Sequence, residues 1–219
     1  GSKDGIITGK NFNPKSKQDA TLYRNINNKR FGVRWVSLTK DGTDTNYSIK
    51  CRFLGDQKKQ TGKIPLNELG FILNQPQLIL DHIEAKGMNL VIGETSSGKS
   101  VTLVNILLYI YEKAQGTKSV YSFENPIERR IEGVEQYTLP TSGDKSEEEL
   151  MQMVKDILSF FYRGDPESVA VGEMRDAISV KAGEDLGNTG HNVHATLHCE
   201  YGFDVPERLV SLGGNAKLI

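Results

Sequence analysis

Hydrophobic positions along the chain follow two regimes. In residues 31–39, FGVRWVSLT, Phe31, Val33, Trp35 and Ser37 alternate with Gly32, Arg34, Val36 and Leu38. That period of two predicts a β-strand, and residues 46–54, NYSIKCRFL, carry the same chemistry. Asp41-Gly42 between them is a turn signal, so the two runs predict a hairpin. Residues 3–29 are polar with few apolar positions and predict mostly loop, and residues 55–64, GDQKKQTGKI, predict a polar linker. From residue 65 the spacing lengthens. Leu66 to Lys86 predicts one or two helices stopped by Gly87, and Met88 to Ile92 is an apolar run of buried-strand length. Leu103, Ile106, Leu107 and Ile110 then fall at helical spacing, in a helix ended by Gly116. Further strands are expected at 118–123, at 168–171 after Asp165-Pro166, and at 193–197. A helix from the Ser146–Glu149 capping box to about Tyr162 and another from Asp176 to Leu186 lie between them. Strands alternating with helices predict an α/β fold with a largely parallel sheet.

Charge divides the chain in the same place. Residues 1–64 carry a net charge of +9 and residues 65–219 a net charge of −10, inside an overall −1. A basic unit joined to an acidic one implies different electrostatic partners, and the basic face suits phosphates on nucleic acid or on a nucleotide. The 219 residues have room for one or two domains. Cys51 and Cys199 are too few for a disulfide framework and read as reduced thiols, which points to the cytoplasm. No apolar run is long enough for a membrane-spanning helix, and no signal peptide opens the chain. Gly1-Ser2 has the look of a cloning remnant.

Gly93-Glu94-Thr95-Ser96-Ser97-Gly98-Lys99-Ser100 matches GxxxxGK[ST] between the apolar strand and the apolar helix, which Val101 continues. Glycines at these positions let the backbone curl so that its N–H groups and the helix N-terminus face an anionic phosphate. Lys99 is placed to reach the β- and γ-phosphates of ATP, and Ser100 to offer a hydroxyl to Mg²⁺.

Three further clusters narrow the chemistry. SVYSFENPIE sets Glu124 and Glu128 around Asn125-Pro126 just after a strand, and DPESVAVGEMRD ends a strand in Gly172-Glu173. A carboxylate at the C-terminal edge of such a strand faces the ligand crevice, so Glu173 is the candidate to polarise the attacking water. NTGHNVHATLH carries His191, His194 and His198, followed by Cys199. Alternation along a strand splits the histidines between faces. That favours one active-site histidine and two buried or hydrogen-bonded ones over a metal cluster.

The ordered set GETSSGKS, FENPIE, VAVGEMRD and TGH…TLH resembles the type II/type IV secretion ATPase superfamily, the hexameric motors of type IV pili, type II secretion and type IV secretion. The resemblance covers about residues 30–210. It implies a RecA-like P-loop core at 65–219 that stops short of the motor's end. Before it, at 1–54, come the last strands of a PAS-like N-terminal domain, with 55–64 as linker. Lys99 and Ser100 match the Walker A pair, Glu173 the Walker B glutamate with Arg175 and Asp176 in its run, Glu124 and Glu128 the acidic box, His198 the His box and His191 the preceding TGH. Arginines on the last N-terminal strands reach the nucleotide in this family, which makes Arg34 and Arg52 the candidates. The implied ligands are ATP and Mg²⁺. The implied assembly is a homo-hexameric ring in the cytoplasm, on platform proteins of the inner membrane, peripheral to the bilayer and without specific nucleic acid. Asn125 departs from the family's usual Asp, and Glu94 from its common proline. A RecA-type nucleic-acid translocase and a weakly hydrolysing ATP-sensing subunit are the rival readings.

Overall fold

The computed structural model describes residues 18–39, 47–56, 59–60, 62–115, 117, 119–139, 146–164 and 166–217. Gly1-Ser2, the Asp41-Gly42 turn, Gly116 and Asp165 lie outside them. The chain forms two compact units. One holds the described residues up to Lys59 with Glu128–Arg130, and the other holds Gln60–Ile127 and the residues from Ile131 onward.

The first unit is an antiparallel sheet of three strands in the order β1-β2-β3: β1 (Gln18–Ile26), β2 (Lys29–Thr39) and β3 (Tyr47–Asp56). The β2–β3 pair matches the expected hairpin strands. β1 corrects the loop expected over 3–29, because Gln18–Ile26 pairs with β2 from Gln18↔Ser37 to Ile26↔Lys29. Asn27 and Asn28 both take positive φ, 50° and 60°, which is the two-residue hairpin turn whose twist suits its strands. An edge strand needs no continuous apolar face, so its polar composition hid it. β2 buries Trp35 and Ser37 on the face predicted from the alternation.

The second unit is a three-layer α/β domain. Its strands are β4 (Gly87–Gly93), β5 (Val120–Glu124), β6 (Val134–Thr138), β7 (Ser168–Met174) and β8 (Asn192–His198). They form a sheet in the order β4-β8-β7-β5-β6, with every neighbouring pair parallel. Helix α2 (Lys99–Lys113) buries Leu103, Ile106, Leu107 and Ile110 against one face, where helix α1 (Gln75–His82) packs with the partly buried Ile79 and Leu80. Helices α3 (Glu147–Gly164), α4 (Ala177–Asn188) and α5 (Val205–Ser211) cover the other. On β7, Val169 and Val171 face the α3–α4 side and Ala170 the α2 side, all at most 1% exposed. A strand covered on both faces reads as a near-continuous apolar run.

α3 follows its sequence closely. Ser146 Oγ accepts from the Glu149 N–H at 3.2 Å, and the Glu149 carboxylate accepts from the Ser146 N–H at 2.8 Å. Leu150, Val154, Leu158 and Phe161 form its buried stripe. Phe161 is fully buried, with ring centroids of Phe123, Tyr121 and Tyr137 at 4.5, 4.8 and 5.0 Å. Such pairs contribute about 0.5–1.5 kcal/mol each beyond area burial, and here they tie α3 to β5 and β6. The one or two helices expected over 66–86 are a short 3₁₀ turn at Leu66–Leu69 and then α1. The end of the expected linker is held on α2. Lys63 reaches Glu112 at 2.6 Å and lies 4.4 Å from the Tyr109 ring centroid, and the Ile64 N–H donates to Asn105 Oδ1. No helix among the described residues is long and apolar enough to cross a membrane.

Candidate functional site

The C-terminal ends of β4, β8, β7 and β5 lie side by side, and the sequence puts Gly93, His198, Glu173 and Glu124 there. This edge of a parallel sheet is where ligands bind in open α/β folds.

The loop from Gly93 to Ser100 joins β4 to α2. Gly93, Ser96 and Gly98 take φ of 150°, 66° and 94°, so the two motif glycines stand where side chains are poorly tolerated. Gly98 is the N-cap residue of α2 and provides no side-chain cap, and the first turn of the helix has no acidic side chain. The amides of that turn are therefore left to other acceptors, and the dipole favours an anion. The Lys99 ammonium donates to the carbonyls of Gly93 at 2.9 Å and Glu94 at 2.6 Å, so it is held over the loop. Ser100 is exposed in the same turn, and Val101 is half-buried behind it.

His198 connects this loop to the sheet. Its backbone pairs with Gly93, and its Nε2 lies 2.9 Å from Thr95 Oγ1. The expected split of the histidines between strand faces is corrected: His194 and His198 lie four residues apart on β8 and share a face, and His191 lies outside the strand. His194 is 1% exposed, and burial lowers its pKa to about 4, so it is neutral near pH 7. His191 precedes β8 and meets Thr189 Oγ1 at 2.9 Å. The seven residues of β8 then put it roughly 20 Å from the loop end at about 3.3 Å per residue. The structure therefore does not bring His191 to the site. Among the described residues no group of three or more His, Cys, Asp or Glu is placed to hold a metal.

The carboxylates differ in setting. Glu173 is exposed at the end of β7, just past a register shift where Ala195 pairs with Val171 and Thr196 with Glu173. The irregularity lies at Gly172, whose carbonyl accepts from the buried Thr196 hydroxyl at 3.0 Å. An extra residue of this kind re-aims the side chain that follows it. Glu124 Oε1 accepts from Ser122 Oγ and from Gln136 Nε2, both at 2.8 Å. A Cβ on Gly172 would stand 3.3 Å from Glu124 Cγ, so the glycine leaves room for that carboxylate. Arg175 donates from Nη2 to the Asn125 carbonyl at 2.9 Å and so ties the end of β7 to the acidic segment. Asp176 is the N-cap of α4, in a reciprocal pair with Ser179, which gives it a structural task.

In the first unit Arg34 and Arg52 are direct cross-strand partners. Like charges in that position are mutually destabilising. Arg34 is half-buried, while the Arg52 side chain is 72% exposed and has Glu128 Oε1 3.8 Å from Nη1. Glu128 belongs to the same unit as Arg52. The sequence reasoning missed Ser122, Gln136 and Thr196. The Gly133 turn before Val134, Tyr137 and Thr138 was the available sign of the strand that carries Gln136.

The family model described as "Type II/IV secretion system protein" matches residues 12–219. The chain belongs to that family. Type II secretion system protein E of Pseudomonas aeruginosa is 31% identical over 156 residues, covering 71% of this chain and 29% of that protein. The type IV pilus assembly ATPase PilB of the same organism is 30% identical over 167 residues, covering 75% and 27%. Among solved structures, the pilus retraction motor PilT with bound ADP superposes with a TM-score of 0.58 at 27% identity, covering 90% of this chain and 51% of that one. The Legionella pneumophila ATPase DotB gives a TM-score of 0.62 at 22% identity, covering 93% and 53%, a likeness of fold. The chain thus spans about half of each of these solved chains and under a third of the two curated relatives.

Proposed function

We propose that the chain carries the nucleotide-binding core of an ATP-hydrolysing motor. That motor drives type IV pilus assembly or retraction, or type II or IV secretion including conjugative transfer. The observation that carries this reading is one sheet edge combining an uncapped α2 N-terminus, the Lys99 ammonium, the Thr95–His198 contact and the carboxylates Glu124 and Glu173. The motor works as a homo-hexameric ring in the cytoplasm, docked on platform proteins at the inner membrane.

Loop amides from Glu94 to Ser100 and the α2 N-terminus bind the phosphates of ATP. Lys99 moves from its carbonyl partners to the β- and γ-phosphates. The exposed Ser100 hydroxyl would be the side chain that holds Mg²⁺ beside the phosphates, where the ion would neutralise their charge. Glu173 orients the water and holds its proton at a carboxylate oxygen. Glu124 aligns the same water from the neighbouring strand, and Arg175 keeps the two strand ends in register. His198 reads the terminal phosphate through Thr95. Arg34 and Arg52 supply the planar forks that grip phosphate oxygens. Positioning and charge neutralisation perform most of this chemistry.

The ATP-sensing alternative rests on Asn125. Arg175 grips its main-chain carbonyl, which an Asp would offer equally, so that contact is indifferent to the replacement. ATP binding and hydrolysis by Lys99→Ala and Glu173→Gln test the proposal. Lys99→Ala should lose most of its affinity. Glu173→Gln should bind normally and hydrolyse about 10²–10⁴-fold more slowly. Parent-like turnover by either variant would overturn the assigned role. A parent chain that binds ATP without completing even a single turnover would favour the sensor.

A further inference from the structure

Glu124 is held by an amide that belongs to none of the recognised sequence boxes. Gln136 lies on β6 beside β5, in register with Ser122, so Ser122, Glu124 and Gln136 share one face of the sheet. Gln136 Nε2 donates to Glu124 Oε1 at 2.8 Å, and Gln136 Oε1 accepts from the Ile131 N–H at 2.9 Å. This arrangement fixes which way the amide points, because a main-chain N–H needs an oxygen and a carboxylate oxygen needs a donor. The Ser122 hydroxyl, on a residue 1% exposed, donates to the same carboxylate oxygen. Two donors on Oε1 set the plane of the carboxylate. On the opposite side Gly172 packs so closely that even a methyl group would press on Glu124 Cγ. Hydrogen bonds to an ionised group contribute more than neutral ones, and carboxylates at reactive centres depend on such support for their orientation.

We propose that Gln136, with Ser122, is a positioning residue for hydrolysis, holding the Glu124 carboxylate at the angle turnover needs. The inference rests on the hydrolytic site proposed above. Gln136 touches no nucleotide in this scheme and acts through Glu124. Losing it should therefore lower kcat and leave KM for ATP nearly unchanged.

Three variants of the full chain test this. Gln136→Glu keeps an acceptor for the Ile131 N–H but turns a carboxylate toward Glu124. Its kcat should fall about 10²-fold with KM within about 2-fold, as small misplacements do. Its Tm should fall by roughly 4–8 °C from like-charge opposition. Ser122→Ala removes one donor at little steric cost and should lower kcat less, with KM again unchanged. The exchanged pair, Gln136→Glu with Glu124→Gln, restores one donor facing one acceptor. It should recover the Tm but not kcat, because the carboxylate now sits on the wrong strand. Unchanged kcat in Gln136→Glu, or a loss entirely in KM, would overturn the proposal. So would a double variant that recovers turnover along with stability, since that would reduce Gln136 to a stability role. If the parent hydrolyses no ATP, the motor reading falls. The Tm of the exchanged pair then decides whether Gln136 orients Glu124: recovery supports that contact and no recovery rejects it.

Discussion

Gly172→Ala separates room for the site from room for the fold. The glycine has ordinary backbone angles, so the substitution acts only through its added methyl. That methyl would lie 3.3 Å from Glu124 Cγ, 3.3 Å from the Phe123 carbonyl oxygen and 3.6 Å from Glu124 Cα. Relief requires a few tenths of an ångström. The Phe123 carbonyl is part of β5, whereas the Glu124 side chain is held by two hydrogen bonds of 2.8 Å, so the carboxylate yields first. Overpacking costs about 1–3 kcal/mol, and a half-buried site with a movable neighbour belongs near the low end. About 1 kcal/mol lowers Tm by roughly 2–4 °C in a chain of this size. A similar loss from the transition state slows hydrolysis roughly tenfold. Gly187→Ala is the control. Its methyl would meet nothing closer than 3.7 Å in α4, and Ala favours helix by roughly 0.5–1 kcal/mol. Phosphate release and differential scanning fluorimetry on both variants provide the measurement. Full kcat in Gly172→Ala with a lowered Tm would refute the link between this contact and Glu124, as would an equal loss of kcat in Gly187→Ala.

Three other outcomes are expected. His198→Ala should keep ATP affinity and lose hydrolysis about 10-fold or more, with Thr95→Val following it in direction; an unaffected Thr95→Val in a kinetic assay would break that coupling. Arg34→Ala and Arg52→Ala should each bind ATP and hydrolyse it orders of magnitude more slowly, with Lys a poor replacement. Mixing Arg34→Ala with Lys99→Ala should restore turnover if the arginine acts across subunits, and no recovery in a shown co-assembly would count against that. His194 has its pKa lowered by burial to about 4, so the unfolded chain takes up its proton first as pH falls. Its contribution is present above about pH 6.5 and is lost between there and about pH 4, on the order of 3 kcal/mol. Urea unfolding at pH 7 and 4.5 should show the loss, and His194→Gln should flatten it.

The sequence disclosed those parts of the molecule whose constraints are local. The motif from Gly93 to Ser100 was legible because a phosphate-binding loop demands particular residues at fixed spacing. The α3 stripe and its capping box were legible because helical period and cap are adjacent in sequence. β1 and β6 were missed for one reason: each is an edge strand, half-open to solvent, and its residues need not be apolar. Missing β6 also hid Gln136, whose partner Glu124 is twelve residues away and meets it only through parallel pairing. Glu124, Glu173 and His198 could be named from their boxes. That His198 touches Thr95, 103 residues away, depends on β8 lying beside β4, and no local pattern encodes that adjacency.

Two helices that start at this sheet edge, α2 and α4, begin differently. α4 is closed by Asp176 and Ser179, whereas α2 starts at a glycine with no side chain to offer. A good cap contributes about 1 kcal/mol, so α2 forgoes a stabilisation that an acceptor arriving from solution can restore. Any phosphate that binds there becomes part of the folding equilibrium as well as the reaction. At a hundredfold excess over its Kd, such a ligand adds about 2.7 kcal/mol, a rise of roughly 5–10 °C in Tm for a chain of this size. The melting temperature then gauges how full the loop is. A variant such as Glu173→Gln that retains its nucleotide should melt higher in ATP than a parent that consumes it.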